Sequence, residues 1–215
     1  VVCEGWRVLE SESTTVGRGA TPLRQLLQDP EAGGRPGVLD AFRAARRTFL
    51  AGRRLDMTAL AEQLDVNRVT LYRWVGSRED LLVEVIWSLA EPTLVRLRRE
   101  VPLTGSERIV QVQTRFMDAV LTNPGMATFL AEEGELAMRI LTRWDTGFQP
   151  RLIADAQAML EEETASGALA PLPADLRDVA FAIVRIIESY IYLDRITGEE
   201  PDTARAEQIF RLLLR

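Results

Sequence analysis

From Gly37 to the C-terminus the apolar residues recur at helical spacing, and no stretch alternates with the period of two that would demand a strand. That pattern confines the chain to an all-α fold of roughly nine or ten helices. One helix is expected over 38–50, with Phe42, Ala45 and Phe49 on one face and Arg43, Arg46 and Arg47 mostly on the other. A long helix over 81–99 is expected to be interrupted by Pro92. Thr104-x-x-Glu107 reads as a capping box opening a helix that runs to Asn123-Pro124. Short segments follow around 126–133 and 135–144, then helices over 150–166, 175–196 and 203–215, the first two stopped by Gly167 and Gly198. An apolar content of 47% supplies a core, and no apolar run approaches the ~20 residues of a membrane span.

The chain has no His and all 26 of its basic residues are Arg. Ser-His-Asp and Cys-His chemistry and the usual His-containing zinc site are therefore excluded. The lone Cys3 has no partner within the chain, so no disulfide, metal cluster or cofactor is expected. The N-terminus lacks the basic-then-apolar pattern of a secretory signal, and a cytoplasmic location is expected. The net charge of −6 argues against a general nucleic-acid binder. Yet eight Arg and seven acids over 38–90 leave that segment near +1 and the remainder near −7. A near-neutral, Arg-bearing end on an acidic body suits a protein that touches DNA at one place only.

Residues 56–87 carry the most specific local pattern. A first helix over 58–64 buries Leu60, Ala61 and Leu64, and small Ala61 allows a crossing helix to approach closely. Asp65-Val66 forms the turn, with Val66 plugging the gap between helices. Asn67 is an N-cap for a second helix over 68–74, in which Leu71 and either Trp74 or Val75 face inward. Ser77 caps a third helix, whose first turn carries Glu79 and Asp80. On pattern alone this is either a helix-turn-helix that reads DNA or a plain helical hairpin in a bundle. For the first reading, Arg68, Val69, Thr70 and Arg73 suit base edges, Tyr72 a phosphate, and Arg78 a phosphate clamp.

The run MTALAEQLDVNRVTLYRWVGSREDLL resembles the DNA-binding domain of TetR-type transcriptional regulators. The likeness rests on Leu60-Ala61, the turn Val66-Asn67, Thr70-Leu71-Tyr72 with Trp74, and the start Arg78-Glu79-Asp80-Leu81. It covers about 38–90, roughly a quarter of the chain. Two positions depart: Asp65 stands where a turn Gly is usual, and Arg78 where a phosphate-binding Lys is usual. The resemblance implies that Thr58 and Tyr72 contact phosphate or groove, that Arg68, Val69, Thr70 and Arg73 are base-contact candidates and that Arg78 is a phosphate clamp, with Asn67 among the DNA-binding residues. It also implies a homodimer, a palindromic double-stranded operator and a C-terminal domain for a small-molecule effector. The chain would then divide into a flexible leader (1–36), a helix-turn-helix domain (37–83) and a helical ligand-binding and dimerisation domain (84–215). The C-terminal half is vaguely similar to regulators of quorum-quenching lactonase genes.

Residues 1–36 are rich in Gly and polar residues, with one short helix expected over 22–28. They read as a disordered tail, or as an arm whose Arg18, Arg24 and Arg35 touch DNA backbone or minor groove. In the body, Ile183, Ile187, Tyr190, Ile191, Ile209, Phe210 and Leu213 form the expected dimer face, unless they serve only the monomer core. Trp87, Leu94, Phe116, Met117, Val120, Met126, Phe129, Met138, Leu141, Trp144 and Phe148 are candidates for an apolar ligand site, with core packing as the alternative. Glu132, Glu133 and Glu135 read as a solvated acidic face or, for a buried member, as a ligand contact. Glu188 stands in an apolar helix and needs a partner, for which Arg185 is placed. The functions consistent with all this are a DNA-binding, ligand-responsive repressor without membrane attachment, a helical protein-interaction module, and an all-α enzyme using carboxylate or Tyr chemistry.

Overall fold

The computed structural model describes Thr21, Leu23, Arg24 and residues 36–215. The expectations for Arg18, Arg35 and the short helix over 22–28 fall largely outside the described residues. Those residues form ten α-helices and one 3-10 turn, with no strand among them. The elements are α1 (Pro36–Leu50), α2 (Met57–Gln63), α3 (Arg68–Val75), α4 (Arg78–Glu100), α5 (Gly105–Thr122), α6 (Pro124–Thr142), the 3-10 turn (Trp144–Thr146), α7 (Phe148–Ala165), α8 (Leu176–Ile191), α9 (Leu193–Thr197) and α10 (Thr203–Leu213). No helix among the described residues is long and apolar enough to cross a membrane.

The three N-terminal helices are punctuated as their sequence dictates. Asp56 caps α2 by accepting from the backbone N–H of Thr58 and Ala59, and Asn67 caps α3 by accepting from Thr70 N at 2.7 Å. Between them α2 ends in a Schellman turn: Val66 N–H bonds to Ala61 O and Asp65 N–H to Glu62 O. The residue this turn forces into the left-handed region is Asp65, at φ 53°, which stands where the resembling family carries Gly. A short polar side chain tolerates that backbone where a β-branched one does not. Ser77 and Asp80 then form a reciprocal capping box at the start of α4.

α1 packs across α3, α4 and α6 and so joins the N-terminal trio to the body. Two close approaches make this possible. A Cβ on Gly37 would lie 2.5 Å from the Trp74 ring, and one on Gly125 would lie 2.4 Å from the carbonyl oxygen of Phe49. Beside the second, Phe49 of α1 meets Phe129 of α6 edge to face at 5.9 Å. In the body α5 is the central rod, packed by α4, α6, α7, α8 and α10.

Three local expectations need correction. Pro92 does not interrupt α4, which continues through it: Pro92 is exposed, and buried Ala90, Leu94 and Leu97 hold the surrounding turns in the core. Thr104-x-x-Glu107 is not a capping box, because Thr104 makes no side-chain cap bond. Gly105, at φ 63°, instead donates its N–H to the buried carboxylate of Glu163 at 2.6 Å, and Glu107 pairs with Arg211. The two segments expected over 126–144 form one element kinked at Glu133 (φ −129°, ψ 34°), so the break read from sequence is real but small.

The strained turn gives a direct test. Asp65→Val should destabilise the protein by about 1–2 kcal/mol, and Asp65→Gly should stay within ~1 kcal/mol of wild type. Denaturant unfolding of the two variants beside the parent measures both.

Candidate DNA-reading surface and ligand cavity

α3 presents one face to solvent. Leu71 and Val75 are buried and Trp74 packs against the core, whereas Arg68, Val69, Tyr72 and Arg73 are exposed, Val69 by 78%. The Arg68 guanidinium lies 5.9 Å from the centre of the Tyr72 ring. Thr70 is half-buried. Asn67 and Thr58 are exposed, but the Asn67 carboxamide oxygen is already committed to its cap, and the Thr58 N–H to Asp56 at 2.6 Å. The backbone bonds from Ala59 and Thr58, aided by Arg68 and Arg54 and opposed by desolvation, hold the Asp56 carboxyl below its ordinary value at the start of α2. For Thr58 only the hydroxyl remains to meet a phosphate.

Arg78, the expected phosphate clamp, already has two partners within the protein. Its Nε donates to Leu55 O at 2.6 Å and its Nη2 to Glu133 at 2.6 Å, leaving the side chain 21% exposed. The residue that sequence reasoning missed is Arg54, which is 72% exposed and touches Glu133 only at 3.4 Å. Arg54, Asp56, Thr58, Arg68, Tyr72 and Arg78 line one surface groove. Arg24, expected on an arm, is turned into the body: it donates to Glu84 at 2.9 Å and to Thr146 O at 3.0 Å. Buried Glu84 is held from the other side by Arg151.

Glu133 is drawn inward by Arg78 and Arg54, while Glu132 and Glu135 are exposed as a solvated face requires. The kink at Glu133 breaks the helical ladder, and Arg195 fills the break by donating to Leu130 O and Ala131 O, both at 3.0 Å.

The body holds a partly open cavity of about 80 Å³ between α4, α5, α6, α7 and α8. Of the expected lining residues, Phe116, Val120, Met126, Leu141, Phe148 and Glu188 are there. Leu94 and Met117 are not; both are fully buried in ordinary core. Phe129 is spent on Phe49, and Trp87 stacks edge-on against Phe148 behind the wall, under Arg151. Met138 packs against the core, and Trp144 is 59% exposed. Lining residues that the sequence did not single out include Ile86, Leu89, Ala90, Thr93, Asn123, Leu152 and Tyr192. Ile187 and Ile191, expected at a dimer face, line the cavity instead. With Ile183 and Phe210 they are buried within the monomer, so none of these four is surface. Tyr190 and Leu213 are half-buried and Ile209 is exposed.

Glu188 is the cavity's carboxylate. It pairs with Arg185 while its Oε1 is buried without a hydrogen-bond partner. Burial pushes its carboxyl up to about 7, against the pull of Arg185. Burial, and then the Glu188 charge, also push the Tyr192 phenol up. Because the folded value of Glu188 lies above the ordinary 4.5, the folded state holds the extra proton between the two values, and stability falls as pH rises across that window. Glu188→Gln removes this loss. The variant should gain on wild type by on the order of 1–3 kcal/mol between about pH 5 and pH 8, read from thermal unfolding at both.

The comparisons with known proteins agree with this geometry. Residues 104–215 match the family model of the tetracyclin repressor-like C-terminal domain. The structure of the R. erythropolis transcriptional repressor QsdR, from the TetR family, is 26% identical, covers 83% of this chain and 94% of its own, and superposes with a TM-score of 0.75. A Clostridium perfringens protein assigned as a putative fatty acid metabolism regulator shares the fold at 14% identity and a TM-score of 0.51, over 81% of this chain and 96% of its own. No curated protein matches the sequence. With more than half the chain inside the family model, and a helix-turn-helix ahead of it, the chain belongs to the TetR family and is a DNA-binding transcriptional regulator rather than an enzyme.

Proposed function

We propose that the protein is a dimeric repressor that leaves a palindromic operator when a small apolar or amphipathic molecule enters the body cavity. The observation that carries this reading is the solvent-facing row Arg68, Val69, Tyr72 and Arg73 on a helix whose opposite side is locked into the core. Arg68 and Arg73 supply donors for guanine edges, Val69 a methyl surface for thymine, and Tyr72 and the Thr58 hydroxyl contacts to phosphate. Arg54 adds a more exposed guanidinium for phosphate beside Arg78, whose Nε and Nη2 are already bonded. Thr70 and Asn67 shape the start of the helix that enters the groove.

One α3 covers few base pairs, so two-fold pairing is needed to read two half-sites. The surface that fits pairing is the outer side of α8 and α10: Phe181, Ile209 and Leu212, which are exposed, with Tyr190 and Leu213 at its edge. This replaces the face centred on the buried isoleucines. The division proposed for the chain is a leader to 36, a DNA-binding unit over 37–83 and a ligand and dimer unit over 84–215. The likeness of the C-terminal half to regulators of quorum-quenching lactonase genes belongs to the same proposal.

The cavity supports ligand control because of what its walls are attached to. α4 contributes Ile86, Leu89, Ala90 and Thr93 to the wall and carries Arg78 in its first turn; α6 contributes Met126 and Leu141 and carries Glu133. At about 80 Å³ the cavity is smaller than an ordinary ligand site, typically ~300–1,000 Å³. A ligand therefore has to spread α4 from α6, and it favours that spread state because it binds it better. Spreading the two helices moves Arg78 and the α3 it sits beside.

Selection from a pool of random-sequence duplexes by the full chain tests this reading and needs no operator to be chosen in advance. The enriched sequences should contain two inverted half-sites about one helical turn apart. Arg68→Ala with Arg73→Ala should weaken binding of the enriched duplex by about tenfold or more while leaving unfolding unchanged, since both side chains are exposed. Unchanged affinity would remove α3 as the reading element.

A further inference from the structure

The chemistry of the cavity wall narrows what the effector can be. Four lining residues bear polar side chains: Thr93, Asn123, Glu188 and Tyr192. The Thr93 hydroxyl already donates to Leu89 O at 2.7 Å, and the Asn123 carboxamide oxygen already accepts from Met126 N at 3.0 Å. Glu188 differs: one carboxylate oxygen meets Arg185, and the other, Oε1, is buried with no partner. A buried acceptor left unpaired costs free energy that a bound donor recovers. The nearest cation, Arg185, is not among the lining residues and is paired with Glu188, so an anionic head group would have to compete with that carboxylate for it.

Resting on the reading of this cavity as the effector site, we infer that the effector is a slender amphiphile whose head donates a hydrogen bond to Glu188, as a hydroxyl or an ammonium does, and that a free carboxylate head is rejected. The tail runs against Ile86, Phe116, Val120 and Leu152, which offer dispersion contacts and no competing polar group. The narrow volume selects an unbranched or thin tail over a bulky ring system.

Calorimetric titration of the full chain with octylamine, 1-octanol and octanoate tests the inference. Octylamine or 1-octanol should bind at least about tenfold tighter than octanoate, and Glu188→Gln should reduce that preference to about threefold or less. Whichever of the two donors binds tighter identifies the head as ammonium or hydroxyl. Octanoate binding as tightly as both donors, or a preference that survives in Glu188→Gln, overturns the inference. Two cavity-filling variants, Val120→Trp and Ala90→Met, separate this failure from that of the underlying reading. If the probes still bind both filled variants as they bind wild type, the probes sit elsewhere and the cavity is not the effector site. If filling abolishes binding while octanoate rivals octylamine, the cavity stands and only the head-group inference falls. Binding of none of the three probes to wild type overturns both.

Discussion

The guanidinium of Arg78 ties three parts of the molecule together. It sits in the first turn of α4, donates to the backbone of Leu55 just before α2, and pairs with Glu133 in the kink of α6. Each of those partners has its own place fixed by other contacts. Leu55 is buried, Glu133 also receives Arg54, and the broken ladder around Glu133 is filled by Arg195. A side chain with five rigid donors can hold two such partners at once, which an ammonium on a flexible stem does less well. The position at which the resembling family carries a phosphate-binding Lys has here become an internal strut. Arg78 still borders the surface groove, which it shares with Arg54, Asp56, Thr58, Arg68 and Tyr72.

That strut gives the fold its working layout. The helix that begins at Arg78 ends as one wall of the cavity, and the helix that bends at Glu133 supplies another. The N-terminal trio rests on the same two helices through α1, where Gly125 and the Phe49–Phe129 contact allow backbones to touch. In the proposed mechanism a change in the separation of α4 and α6 is felt at the base of α3, because close-packed elements shift as rigid bodies and do not deform smoothly. The cavity itself combines apolar walls with one carboxylate whose second oxygen has no partner, an arrangement that is costly in an empty protein and useful in a liganded one.

How far the sequence foretold this follows the range of each signal. Caps and turns are local, so Asn67, Ser77 and the left-handed Asp65 are where residue chemistry placed them, and the kink at Glu133 falls at the boundary of the two segments expected over 126–133 and 135–144. The exposed row on α3 follows from helical spacing once Leu71 and Val75 are known to be inside. Arg78 defeated the same reasoning because its partners lie 23 and 55 residues away, and nothing in its neighbours announces them. Thr104 looked like half of a capping box, but the Glu163 carboxylate from α7 satisfies the neighbouring Gly105 N–H and Glu107 is drawn to Arg211. In α8 the apolar residues cover more than one stripe. Composition shows that two partners are needed but not which stripe faces α7 and the cavity and which faces outward. Ile183, Ile187 and Ile191 consequently went to the interior and Phe181 to the surface. The pocket candidates were chosen as aromatic, Met or aliphatic residues, a property shared by cavity and core, and that is why Leu94, Met117 and Trp144 lie outside the cavity.

The coupling of cavity to DNA surface through Arg78 and Glu133 is most directly tested by a double-mutant cycle on duplex affinity, using the duplex selected by the wild-type protein, in wild type, Val120→Trp, Glu133→Gln and the combination. Filling the cavity should weaken duplex binding in the wild-type background, and the loss should largely disappear when Glu133→Gln has cut the link, giving an interaction energy of about 1 kcal/mol or more. Strictly additive effects of the two substitutions would contradict transmission by this route.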